Sequence, residues 1–467
     1  MSPGYTIEKR QEVSQGEAKN AHGSSSPIDR IPNPCSPTDA GVIAAVLSNL
    51  DLPLESSPDF FDRSSEPSDR LATLQKLLKS QQRKSMGNSS LGGSIKDCIL
   101  DIDGNPFSIM EKLGEGAYGS VFLAEDVSNC APPRNKKALG GLLGDSSFDQ
   151  SNAEADDEEE EEDEDEAERK RMVAIKLEAP PNRWEFYILG QMRARLEARA
   201  LESIIGARRF YAYRDESLLL LEWGEKGTLL EIVNQAASAG VAPVGATTGV
   251  EEILAMFFTV ELLRLIEGLH SAQLLHGDLK IDNCLLRLDE AAYGQTWSNA
   301  YKRDGSNGWA SKGLFVVDFG RAVDLSAFAP GQPFIADWET DSRDCAEMRR
   351  GQPWTYEVDY HGVASVAHCL LFGKYIETSF EGDDLSGRQS ITSTFKRYWQ
   401  GHLWSKLFDA LLNPSRVRPD GVLPITDDLA TIRMEMEGWL EENCNKGGKN
   451  LKGLLKKLEI WTMSRRG

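Results

Sequence analysis

Residues 276–283 read His-Gly-Asp-Leu-Lys-Ile-Asp-Asn, and Asp318-Phe319-Gly320 begins 35 residues after that asparagine. Taken as chemistry, Asp278 supplies a carboxylate to accept or orient the proton of an attacking hydroxyl. Lys280, two residues on, would meet a transferring phosphoryl group. Asn283 and Asp318 add oxygen ligands for magnesium, and Gly320 permits a backbone turn beside Asp318. These are the parts phosphoryl transfer needs, because positioning and charge neutralisation do most of its catalysis. Either motif alone would be noise; together their order and spacing are restrictive. His276 invites a catalytic role, but a ring packed as a spacer behind the loop is the better reading.

Upstream, Gly114-Glu115-Gly116-Ala117-Tyr118-Gly119-Ser120-Val121 lies between two strand-like runs. Its glycines allow a tight hairpin whose amides approach phosphate oxygens, so Gly114, Gly116, Gly119 and Val121 are candidate cofactor contacts. A plain glycine hairpin would look the same. Val173-Ala174-Ile175-Lys176 places one ammonium in an otherwise apolar strand. Such a charge needs a carboxylate, and Glu185 in the following helix is the first choice, Glu197 the second. Leu221-Glu222-Trp223-Gly224 ends a later strand. Backbone groups of Glu222 and Gly224 could meet an adenine edge there, or simply turn the chain. Downstream, Cys345-Ala346-Glu347 calls for an arginine partner, Arg397 being the candidate, and Asp359 is expected to brace the loop at 276–283.

Composition narrows the class. The net charge is -21, yet 13 of the 15 residues from Glu154 to Glu168 are acidic, so the rest carries only -8. Such a run stays solvated; steering of basic substrates is possible, a plain solvated insertion the simpler account. Seven dispersed cysteines without metal-ligand spacing read as reduced thiols of a cytosolic or nuclear protein. No apolar run approaches the ~20 residues of a membrane span, and the N-terminus lacks a secretory core.

Along the chain, residues 1–30 are polar and expected to be disordered. Residues 31–100 carry two short amphipathic stretches, Val42-Ile43-Val46-Leu47-Leu50 and Leu71-Leu74-Leu77-Leu78, with too little apolar mass for a core of their own. They are expected to lie on the next domain. Strand patterns dominate 101–224, interrupted by an acidic insertion at 131–170. From 225 to 467 the pattern is helical, with a Gly/Ser/Asn-rich insertion at 289–312 and a C-terminal helix through Leu451, Leu454, Leu455, Leu458 and Trp461.

Together these residues resemble the eukaryotic protein kinase fold, an α+β bilobal architecture with a β-rich N-lobe and a helical C-lobe. WEFYILG, HGDLKIDN, ETDSRDCAEM and GQPWTYEVDYHGVASVAHCLLFGKYIE are similar to the Bub family of mitotic checkpoint kinases, as is the arm NPCSPTDAGVIAAVLSNL. The resemblance implies ATP and Mg2+ as cofactors, and Lys280 implies serine/threonine specificity. It also implies a core histone tail as substrate, and a place in the nucleus and at kinetochores and centromeres in mitosis. Checkpoint and kinetochore partners would bind through regions not recognisable here, the tetratricopeptide region and the segment for a WD-repeat partner. The sequence is therefore expected to be part of a longer protein. Direct nucleic-acid or membrane binding is not expected.

One departure stands out. Many protein kinases carry arginine where this chain has Gly277, and that arginine pairs with a phosphate on the activation segment. Activity here is expected not to depend on such a phosphate; a large loss on dephosphorylation would count against this. Thr340 and Ser342 in that segment are candidate autophosphorylation sites. Two rival readings exist. His-Gly-Asp-Leu-x-x-x-Asn also resembles small-molecule phosphotransferases of the aminoglycoside and choline kinase kind, against which stand Lys280, Asp318-Phe319-Gly320 and Cys345-Ala346-Glu347. A non-catalytic scaffold is the other, against which stand the intact Lys176, Asp278, Asn283 and Asp318.

Overall fold

A computed structural model describes residues 33–85, 98–116, 118–128, 170–290, 296–382, 387–446 and 450–465. The expected disordered tail, the acidic run at Glu154–Glu168 and Ala117 of the glycine loop lie outside these residues.

The arm opens with helix α1 (Ala40–Leu47), started by Asp39, whose carboxylate accepts from the amides of Gly41 and Val42. Strand β1 (Phe60–Arg63) and helix α2 (Arg70–Ser85) follow. The β-rich half then runs through β2 (Cys98–Ile102), β3 (Asn105–Glu115), β4 (Gly119–Asp126) and β5 (Met172–Glu178). After helix α3 (Trp184–Arg195) come β6 (Ala207–Tyr213) and β7 (Ser217–Glu222). These strands make one sheet in the order β1-β6-β7-β5-β4-β3-β2. The arm thus adds a parallel edge strand to β6, with Phe60 opposite Phe210. The sequence reading had only short helices there, because four residues of Phe-Phe-Asp-Arg carry no recognisable alternation.

Side-chain alternation divides the sheet between two cores. Val173, Ile175, Leu177, Leu218 and Leu220 face an outer core completed by Leu71 and Leu74 of α2. Ala174, Leu219, Leu221, Phe210 and Ala212 face the larger core with α3. Lys176 shares the face of Ala174, so its strand period turns it toward the second lobe.

That lobe is built on α4 (Glu252–Ser271), whose residues are buried nearly all round, as a central helix requires. Around it stand α5 (Glu357–Phe372), α6 (Gly401–Leu412), α7 (Thr426–Asn443) and α8 (Leu451–Ser464). Two small antiparallel pairs frame the site: β8 (Leu274–Leu275) with β11 (Val323–Asp324), and β9 (Cys284–Leu288) with β10 (Lys312–Val316). Within the Gly/Ser/Asn-rich stretch expected as an insertion at 289–312, the described residues from 296 on contribute to the core. Tyr301 and Trp309 are buried, their rings 6.0 and 5.9 Å from that of Phe257 on α4. Polar residues around two aromatics disguised a piece of core.

Candidate active site

Lys176 sits in β5 opposite Leu219 of β7 and Val121 of β4. Its Nζ donates to Glu185 Oε2 at 2.6 Å and to Asp318 Oδ1 at 2.9 Å, with Glu178 Oε1 3.8 Å away. Glu185 lies in the first turn of α3 and is 1% exposed. Its second oxygen accepts the Phe319 amide at 3.1 Å, so one carboxylate joins the lysine to the Asp-Phe-Gly turn. Burial alone would lower the Lys176 pKa, but Glu185, Asp318 and Glu178 outweigh it and hold the ammonium above its usual range. Burial likewise works to raise Asp318, and Lys176 outweighs it, keeping that carboxylate ionised. Glu197 instead precedes the short helix Ala198–Leu201.

Asp318 adopts φ 67, a left-handed conformation that costs a non-glycine residue about 1–2 kcal/mol. The neighbouring backbone holds it there. Val317 donates to the Asn283 carbonyl at 3.0 Å, and the Phe319 amide is bound by Glu185.

The loop at 276–283 hangs from Asp359, a fully buried carboxylate of α5. It accepts the amides of His276 and Gly277, each at 2.9 Å, and contacts His270 Nε2 at 3.0 Å. Burial opposes its ionisation, but these hydrogen bonds prevail and leave it below the usual carboxylate range. His276 Nε2 faces the Val317 carbonyl at 3.2 Å while Nδ1 accepts the Asp278 amide at 3.2 Å, a pairing that requires the Nε2-protonated ring. That ring lies 4.8 Å from Phe319. His276 is therefore the packed spacer its position suggested.

Asp278 projects into the cleft between two cations. Lys280 Nζ donates to Oδ2 at 2.7 Å, and Arg321 Nη1 stands 3.8 Å from Oδ1. The Asn283 side-chain nitrogen donates to the Asp278 carbonyl at 3.0 Å, which leaves its amide oxygen for a cation. Among the described residues no group of three or more His, Cys, Asp or Glu side chains could hold a metal. The Asn283 amide oxygen and the Asp318 carboxylate are hard oxygen donors of the kind magnesium takes, and phosphate and water would supply its remaining ligands.

Elsewhere in the cleft, the Gly116 amide donates to the Gly119 carbonyl at 2.9 Å, closing the β3–β4 hairpin. A Cβ at Gly119 would stand 2.0 Å from the Leu177 carbonyl, so that glycine serves close strand packing. Gly114 and Gly116 face open space, leaving their backbone approachable. The Glu222 amide is used on the Gly206 carbonyl at 2.8 Å, whereas Gly224 lies directly over Leu285 of β9. Leu285, which sequence reasoning missed, is the half-buried member of a run whose other residues point inward. Cys-Leu-Leu-Arg-Leu carries no alternation in sequence that would single it out. Glu347 forms no ion pair with Arg397 among the described residues. It lies instead beside the Cys345 thiol, whose pKa is pushed up by burial and, after that, by the Glu347 charge.

No family model matches the chain. It is 40% identical over 379 residues to the spindle assembly checkpoint serine/threonine-protein kinase bub1 of Schizosaccharomyces pombe, covering 81% of this chain and 33% of that protein. To the Saccharomyces cerevisiae BUB1 of the same description it is 33% identical over 418 residues, covering 89% and 35%. The chain thus spans about a third of the length of these relatives. The crystal structure of the BubR1 kinase domain superposes with a TM-score of 0.62 at 22% identity, covering 92% of this chain and 99% of that one. That likeness shows the bilobal protein kinase fold. The chain thus carries this fold and is similar over most of its length to spindle checkpoint serine/threonine kinases of the Bub family.

Proposed function

We propose that this chain is an ATP- and Mg2+-dependent serine/threonine protein kinase of the spindle assembly checkpoint, acting on a core histone tail at centromeres and kinetochores. The observation that carries the reading is the linkage of Lys176, Glu185 and Asp318 within one cleft that also receives Asp278 and Lys280.

In this reading Lys176, oriented by Glu185, binds the non-transferred phosphates, and the backbone at Gly114 and Gly116 covers them. Val121 and the Glu222–Gly224 segment bound the adenine, with Leu285 on the opposite wall. Asn283 and Asp318 would hold magnesium, which when bound would neutralise charge on the phosphates. Asp278 accepts or orients the proton of the substrate hydroxyl. Lys280 releases its contact with Asp278 to meet the transferring group, which keeps the cleft's charge balanced as the bond breaks. The histone tail, the checkpoint and kinetochore partners, and nuclear and kinetochore residence rest on kinship with the Bub family.

Turnover of ATP with a histone substrate tests the reading. Asp278→Asn is expected to lower kcat by about two orders of magnitude or more, and Lys176→Arg to weaken phosphate handling comparably. Wild-type turnover no greater than that of Asp278→Asn would refute the assignment.

A further inference from the structure

Gly277 has φ 76, and a Cβ built there would stand 2.2 Å from the Arg321 carbonyl oxygen. Backbone occupies the space, so no side chain able to read a phosphate can stand at this position. The segment that follows Asp318 is nevertheless tied down. Phe334 and Trp354 exchange backbone hydrogen bonds of 2.9 and 3.0 Å. Trp338 Nε1 donates to Asp344 Oδ1 at 3.2 Å, and the other oxygen of Asp344 accepts the Asp341 amide at 2.8 Å. Arg343 closes the cluster with a salt bridge to Asp341 at 2.6 Å.

Arg321 joins this segment to the catalytic loop. Its guanidinium carbon lies 4.1 Å from the Trp338 ring centroid, while its Nη1 stands 3.8 Å from Asp278 Oδ1. A half-exposed arginine would otherwise sample many rotamers at a cost in ordering entropy. Stacking on an indole face restrains it and leaves its N–H groups free to face a carboxylate.

We propose that Trp338 is a positioning residue that holds Arg321 against Asp278, so that an aromatic–cation contact orders the catalytic carboxylate in place of a docked phosphate. This deepens the kinase reading and rests on it. A substrate hydroxyl must find the Asp278 carboxylate already oriented, and Lys280 alone restrains only one of its two oxygens. Order in the 334–354 segment thereby reaches the site of proton transfer through two side chains.

Steady-state kinetics of the phosphatase-treated chain test it. Trp338→Ala and Trp338→Leu are expected to lower kcat about tenfold, the size of a partly desolvated cation–π contact, with the KM for ATP unchanged. Trp338→Phe, which keeps a π face, restores most of that loss. Arg321→Met falls as far as Trp338→Ala, and the double variant falls no further. Full activity in Trp338→Leu, equal losses in the Phe and Ala variants, or additive losses would each overturn the proposal. The Arg321 Nε proton resonance reads the contact without turnover: a ring-current shift is expected in the wild type and in Trp338→Phe, and its loss in Trp338→Leu. An unshifted wild-type resonance overturns the proposal. Wild-type turnover at the Asp278→Asn level alongside a shifted resonance would instead locate the failure in the kinase reading.

Discussion

Lys176 answers to three carboxylates, Glu185, Asp318 and Glu178. Asp318 and Lys176 satisfy each other within the protein, and in the proposed reading an entering phosphate would compete with Asp318 for the lysine. Histidines show the opposite electrostatics. His361 in α5 is buried, its Nε2 has no hydrogen-bond partner, and burial drives its pKa down from 6.5 to about 4. His368 is likewise lowered to about 4, chiefly by burial. Between those values the unfolded chain binds protons that the native chain refuses. Stability is therefore full above pH 6.5 and is lost as pH falls toward 4, by up to about 1.4 kcal/mol per pH unit for each proton. Melting curves at pH 7 and pH 5 should show this fall, and His361→Leu should remove about half of it. An identical pH dependence in wild type and variant would remove His361 from the account.

Helix α3 carries Glu185, and its setting is fixed at both ends by the strand that follows the Asp-Phe-Gly turn. Trp184 Nε1 donates to the Ala322 carbonyl at 2.8 Å. Tyr187 and Arg195 converge on Asp324, which is fully buried, at 2.7 and 2.8 Å. Hydrogen bonds from Arg195, Ser326 and Tyr187 overcome burial and keep Asp324 below the usual carboxylate range. Replacing Arg195 with Met strands that charge. The expected loss is about 2–3 kcal/mol, toward the lower end for broken buried pairs because the arginine is partly exposed. Chemical denaturation measures it, and kcat should fall with it because α3 no longer holds Glu185 on Lys176. Normal stability in Arg195→Met would show that Asp324 finds another partner.

Across the whole molecule the arm behaves as part of the core. Phe60 of β1 is buried between Phe186 of α3 and Phe210 of β6, at 5.8 and 5.3 Å. Cys35 bridges to Phe334, with the Ile335 amide donating to its carbonyl at 2.9 Å. The arm therefore touches both the sheet that carries Lys176 and the segment that carries Trp338. Phe60→Ala should cost about 3–4 kcal/mol, read as a lower denaturation midpoint with unchanged slope. A loss within a few tenths would mean that β1 is dispensable.

Much of this was legible in one dimension. The order and spacing of Lys176, Asp278, Asn283 and Asp318 pointed to one shared site, because those residues lie in short segments whose local geometry is set by strand period and tight turns. Glu185 was legible for the same reason, in the first turn of the helix after β5. The edge strand at Phe60, the burial of Tyr301 and Trp309, the anchoring of α3 on Asp324 and the seating of Arg321 between Trp338 and Asp278 were not. Each depends on segments distant along the chain meeting with a particular register and orientation. Only tertiary packing, within each lobe and between the two, decides which side chains then share a space.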